Sequence, residues 1–141
     1  MTQRILIMGL PGSGKTTIAE QLKLILDVNN KKVVWLNADC VRAEFNDWDF
    51  SEIGRIRQSR RMYELSTRLD CDFVIADFVA PLPEMRDNFS ADIVVWMDTI
   101  VEGRFEDTNR MFVPPEKYDY RILEKNSQKW AAFIATHLLK K

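Results

Sequence analysis

Gly9-Leu10-Pro11-Gly12-Ser13-Gly14-Lys15-Thr16 sits between a short apolar run, Ile5-Leu6-Ile7-Met8, and a stretch over residues 17–29 that reads as an amphipathic helix. The octet fits the spacing GxxxxGK[ST]. Its context is the one the chemistry needs: a strand buried on both faces, a tight turn, then a helix start. Gly9, Gly12 and Gly14 let the backbone turn sharply and aim N–H groups at phosphate oxygens, while the helix start adds positive dipole character at the same point. Pro11, Ser13 and the following Thr17 complete the expected nucleotide loop. Lys15 can reach the β and γ phosphates of ATP, and Thr16 offers a hydroxyl to Mg²⁺, an ion that prefers oxygen ligands.

Working outward, apolar runs recur at residues 33–36, 73–76 and 93–97, with helical or irregular sequence between them. That rhythm predicts an α/β fold, a three-layer P-loop NTPase arrangement in which a mostly parallel sheet of four or five strands carries helices on both faces. Residues 118–122 are the candidate fifth, edge strand. Ser51 is placed to cap a helix over residues 51–69 with Ile53, Ile56, Tyr63 and Leu65 on its buried side, although Gly54 weakens the first turn. A last helix is expected over 126–139, where Trp130, Phe133, Ile134, His137 and Leu138 recur at helical spacing. His137 reads as packing or partly exposed, because no carboxylate or cysteine pattern accompanies it.

At 141 residues and 46% hydrophobic content, one core and a single domain over 1–141 are expected. Twenty Lys and Arg against 21 Asp and Glu leave a net charge of −1, so no overall basic field points to nucleic acid or an acidic membrane surface. Cys40 and Cys71 have no CxxC or metal-like spacing, and the first residues run into a strand with no signal-peptide pattern; a cytoplasmic setting is the expectation. No apolar stretch approaches the roughly 18 residues that span a bilayer.

Open α/β sheets gather ligands at the carboxyl ends of their strands, so the residues that follow each run carry weight. After the second run come Asn37-Ala38-Asp39, after the third Asp77, after the fourth Asp98-Thr99. Asp77, preceded by four apolar residues, has the form by which many nucleotide kinases hold the Mg²⁺ shell, and a helix cap is its alternative reading. Residues 39–61 hold Arg42, Arg55, Arg57, Arg60 and Arg61 beside Phe45, Trp48 and Phe50. Guanidinium forks match anionic oxygens in pairs and a phenyl ring stacks on a flat base, which suits a phosphorylated or sulfated ligand carrying a purine.

In these motifs the chain resembles the adenylyl-sulfate kinases, which phosphorylate the 3′-hydroxyl of adenosine 5′-phosphosulfate with ATP and Mg²⁺. The loop through Thr17 is similar to the family's GLSGSGKST, residues 36–42 to its LDGDNVR, Phe50-Ser51 with Arg55 and Arg60-Arg61 to its GFSxxDRxxNIRR, and Phe78-Val79-Ala80-Pro81 to its FISP. The resemblance covers about residues 4–98. It implies that Asp39 lies near the acceptor hydroxyl, as base or through Mg²⁺, that Arg42 and Arg55 grip the phosphosulfate, and that Phe50 and Phe78 sandwich the adenine. Gln58, Val79 and Ala80 fall in the same acceptor region, and the family's members are commonly homodimers.

Several positions depart from the family pattern. Gly54 replaces its Asp, Gln58 its Asn, Ser59 its Ile, and Asn37 the earlier of two acidic positions, which leaves Asp39 as the one carboxylate of that corner. Ala80 stands where many members have Ser. The family's long Lys- and Arg-rich lid after the fourth strand is missing; residues 102–112 reach Pro114-Pro115 quickly, with Arg104 or Arg110 as the cation over the transferred phosphoryl. Such a shortened lid predicts weaker exclusion of water. A kinase of another nucleotide, nucleoside, sugar or antibiotic stays open as an alternative, as does a regulator that binds nucleotide without transfer. A GTPase switch is disfavoured, because no glycine follows Asp77 at DxxG spacing and no NKxD occurs downstream.

Overall fold

Alternation along β1 (Gln3–Met8) splits the core in two. Ile5 and Ile7 point to one side of the sheet and Leu6 and Met8 to the other, all four without solvent exposure. Burying each such side chain contributes about 1.5–3 kcal/mol, so this strand alone anchors both layers. The computed structural model describes residues 1–140; Lys141, the last position of the expected single domain, lies outside the described residues.

The sheet has five strands, all parallel, in the order β2 (Val33–Asn37), β3 (Phe73–Asp77), β1, β4 (Ile93–Met97), β5 (Tyr120–Ile122). The edge strand expected over 118–122 is present, confined to its last three residues. Between β1 and its neighbours the strand order reverses, which opens the crevice where ligands collect in such sheets.

On one face, α1 (Lys15–Val28) buries Ile18, Ala19, Leu22 and Leu26 against α6 (Ser127–Leu139), which contributes Ala131, Ile134, Ala135 and Leu138. Asn126 caps α6 by accepting from Lys129 N at 3.3 Å. Phe133 is 47% exposed, and His137 stacks on Tyr120 with its Nδ1 2.9 Å from the Tyr120 hydroxyl at the surface. The opposite face is covered by α2 (Ala38–Phe45), α3 (Glu52–Thr67) and α4 (Pro83–Phe89), through Val41, Met62, Met85 and Phe89. Among the described residues no helix is long and apolar enough to cross a membrane.

Helix α3 corrects one expectation. Ile53, placed on the buried side by its hydrophobicity, is 73% exposed, and the buried line runs instead through Gly54, Arg55, Gln58, Ser59, Met62 and Ser66. The inner face of α3 is polar because it lines a cavity for part of its length, so apolar periodicity is the wrong guide there. Ser51 does cap the helix, accepting from Gly54 N at 3.2 Å.

Candidate active site

A cavity of about 400 Å³ opens at the carboxyl ends of the strands, lined on one side by Pro11, Gly12, Lys15 and Thr16 and on the other by Asp39, Arg42, Phe50, Arg55, Gln58, Phe78, Val79 and Ala80. Its size falls in the range of small-molecule sites. Gly14 enters α1 with φ 101° and no side chain caps the helix, so the N–H groups of the first turn are left for a ligand. Gly9 stands behind the loop, where a Cβ would lie 2.6 Å from Met97 O; any larger residue would push the loop off β4. The Ser13 hydroxyl is fully buried without a partner and faces inward, so Ser13 can meet a nucleotide only through its backbone. Thr17 is exposed and lies outside the cavity lining.

Burial pushes the Lys15 ammonium below its ordinary pKa; Asp77 and Asp39 oppose that shift and Arg104 adds to it. All three charges are therefore within electrostatic reach of Lys15. Its Nζ donates to Leu10 O at 3.1 Å. Thr16 Oγ1 donates to Asp77 Oδ2 at 3.2 Å, and Asn37 Nδ2 donates to the same oxygen at 3.0 Å. Burial raises the Asp77 carboxyl, while Lys15, Asn37 and Thr16 favour its ionised form. The buried Trp35 Nε1 has no hydrogen-bond partner among the described residues.

Asn37 thus explains its own departure from an acidic residue. Its Nδ2 donates to Asp77 and its Oδ1 accepts from Cys40 N at 3.1 Å, capping α2. A carboxylate in its place could not donate and would repel Asp77. Asp39 follows in the first turn of α2, beside the helix N-terminus.

The arginine cluster divides into two sets. Arg57 and Arg61 turn outward to Asp47, at 2.8 and 2.9 Å, and hold its carboxyl well below the usual range; Arg57 also reaches Asp49. Arg60 shares a surface groove with Arg57 and Arg61, apart from the cavity. Arg42 and Arg55 line the cavity. Arg42 donates through Nη1 to Asp47 O and Asp49 O, and Arg55 through Nε to Phe50 O and through Nη2 to Thr108 Oγ1 at 2.7 Å. Both guanidinium groups lie over the Phe50 ring, at 4.3 and 5.4 Å from its centroid. Among the described residues, Arg42 Nε and Nη2 and Arg55 Nη1 have no acceptor, which leaves them for an anion. Phe50 remains 42% exposed, whereas Phe78 is 7% exposed and fixed edge-on to Phe89. Gln58 ties α3 to α2 through Ala38 O.

Gly54, another of the departures, makes room for this turn. A Cβ there would sit 2.2 Å from Asp49 O and 2.4 Å from the Asp49 carboxyl carbon. Gly54→Ala should therefore destabilise the fold by about 1–3 kcal/mol, the cost of overpacking. Urea unfolding checks this, and an unchanged midpoint would mean that residues 47–49 yield freely.

Past β4 the chain turns back over the loop. Asp107, Thr108 and Phe105 join the lining together with Arg104, whose guanidinium lies 5.4 Å from the Phe105 ring. These positions belong to α5 (Glu106–Met111) and its approach, a helix too short and too charged to show an apolar period in the sequence. Its acidic first turn, Glu106-Asp107, was the available signal. Arg110, the alternative lid cation, pairs with Glu106 at 3.4 Å on the surface, outside the cavity.

The sequence pattern of a known family, described as Adenylylsulphate kinase, matches residues 1–103. The chain belongs to the adenylylsulphate kinase family. It is 32% identical over 126 residues to the adenylyl-sulfate kinase of Bacillus velezensis, covering 87% of this chain and 57% of that protein. To the bifunctional enzyme NodQ of Rhizobium meliloti it is 38% identical over 82 residues, 55% of this chain and 13% of that enzyme. The chain is thus shorter than the curated relatives it matches. The Mycobacterium tuberculosis APS kinase CysC, solved in complex with AMPPNP and APS, has the same fold: TM-score 0.80 at 21% identity, over 99% of this chain and 98% of that one.

Proposed function

We propose that this protein transfers the γ-phosphoryl group of ATP to the 3′-hydroxyl of adenosine 5′-phosphosulfate. The observation that carries the reading is a single cavity with a phosphate loop on one wall and, on the other, a carboxylate, two arginines with unengaged N–H groups and an exposed phenyl ring. The M. tuberculosis family member, whose structure holds an ATP analogue and APS together, supports the same pairing of ligands.

In this reaction the acceptor oxygen attacks the γ-phosphorus, the bond from phosphorus to the β,γ-bridging oxygen breaks, and ADP leaves. The hydroxyl proton passes to Asp39. The protein's share is mostly alignment and charge neutralisation. Lys15 and the α1 N–H groups hold the triphosphate, Arg42 and Arg55 hold the phosphosulfate, and Phe50 offers its ring to the adenine. Thr16 and Asp77 fit Mg²⁺: a hydroxyl and an ionisable carboxylate, 3.2 Å apart, give the hard oxygen donors it prefers, with phosphate and water to complete the set. When bound, that ion neutralises charge on the β and γ phosphates. Among the described residues no group of three or more His, Cys, Asp or Glu side chains forms a separate metal cluster.

The test is to incubate the protein with Mg·ATP and adenosine 5′-phosphosulfate and to look by mass for the 3′-phosphorylated nucleotide, alongside a panel of other nucleotides, nucleosides and sugars. Faster turnover on a panel member would reassign the acceptor; ATP binding with no phosphorylated product would mark a regulator.

A further inference from the structure

The segment after β4 is too short to be the family's long basic lid, yet it is tied down at three places. Thr99 Oγ1 donates to Ser13 O at 2.7 Å, fixing the start of the segment to the phosphate loop. Thr108, 2% exposed, accepts from Arg55 at 2.7 Å, fixing α5 to α3. Third, Asn109 closes a ring with Gly103: Gly103 N donates to Asn109 Oδ1 at 2.7 Å and Asn109 Nδ2 donates to Gly103 O at 2.9 Å. An amide side chain carries both the acceptor and the donor that this takes, one for the N–H and one for the C=O of the same residue. Gly103 itself lies against the loop, where a Cβ would be 2.9 Å from Pro11 O. Arg104 is the next residue and lines the cavity together with Lys15.

We propose that Asn109 is a positioning residue: its two bonds to Gly103 set the backbone from which Arg104 reaches the phosphates, so that a fixed clasp does the work of a mobile lid. This rests on the nucleotide half of the proposed function. The physical gain is pre-organisation. An untethered loop must be ordered when its ligand binds, whereas a seven-residue ring closed by two hydrogen bonds is ordered beforehand. A backbone displaced by about 1 Å would carry the guanidinium away from the developing charge, and such errors cost up to roughly 100-fold in rate.

The experiment is a double-mutant cycle on Asn109→Ala and Arg104→Ala, read by calorimetric affinity for Mg·AMPPNP and by kcat and KM for phosphoryl transfer. Arg104→Ala should weaken both readouts, and Asn109→Ala should lower kcat by about 10-fold. In the Arg104→Ala background the second substitution should change either readout by less than about 2-fold, because its effect passes through the guanidinium. Equal losses in both backgrounds, or a silent Asn109→Ala, would overturn the assignment. If Asn109→Ala does not fold, Asn109→Asp keeps the acceptor for Gly103 N and loses the donor; a smaller loss, again confined to the Arg104-containing background, is expected.

Nucleotide affinity is measured without any acceptor. A coupled cycle with no 3′-phosphorylated product would therefore sink the acceptor assignment and leave the clasp standing. Product formation with an uncoupled cycle would do the reverse.

Discussion

Lys15→Ala is expected to lower kcat by roughly 100-fold or more, about 2.7 kcal/mol of transition-state stabilisation. Lys15 carries the cation of the phosphate wall and sits where burial already disfavours its charge. Asp77 and Asp39 oppose that penalty in the free protein, and a triphosphate would oppose it further. In a site partly withdrawn from water, the attraction between ammonium and phosphate is worth far more than at an open surface. Removing the side chain leaves Asp77 and Asp39 near the phosphates with one cation fewer to offset them, so affinity for Mg·ATP should fall together with turnover. The fold should survive, because the one hydrogen bond lost is to Leu10 O. Thermal unfolding and steady-state kinetics, taken together, check both halves; full activity in the variant would remove Lys15 from the mechanism.

Asp39→Ala should also cost roughly 100-fold in kcat, but with a different signature. Asp39 stands on the acceptor wall in the first turn of α2, the one carboxylate of its corner now that Asn37 is committed to Asp77 and to capping. Its loss deprives the attacking hydroxyl of a proton acceptor while Lys15, Thr16 and Asp77 keep their places. Mg·ATP affinity should therefore change little as turnover collapses. A parallel loss of nucleotide affinity would move Asp39 to the metal side of the site.

The reach of the sequence differs from element to element. Strands β1 to β4 are legible because each is a run of apolar residues too short for a helix, with β1, β3 and β4 buried and the edge strand β2 half-buried, and the glycines before Lys15 allow the positive-φ turn the loop makes. The strand ends then place Asp39 and Asp77 at the cavity without further information. Helix α3 misleads, since its inner face is made of Arg55, Gln58 and Ser59, and no hydrophobic periodicity reports a polar wall. The short helices α2, α4 and α5 carry too few apolar residues to show a period, although Pro83 at the start of α4 was a usable signal. Arg42 and Arg57 look alike in the sequence. Only the fold turns one inward over Phe50 and the other outward to Asp47. The Asn109 ring is equally silent, because the meaning of an asparagine lies in which peptide it meets.

A single titration tests whether one cavity holds a phosphoryl donor and an acceptor side by side. Adenosine 5′-phosphosulfate should be titrated calorimetrically into the protein with and without saturating Mg·AMPPNP. Heat of binding at a stoichiometry of about one in both cases, with neither ligand displacing the other, is the expected result. Competition for one site, or no association of either ligand with folded protein, would contradict it.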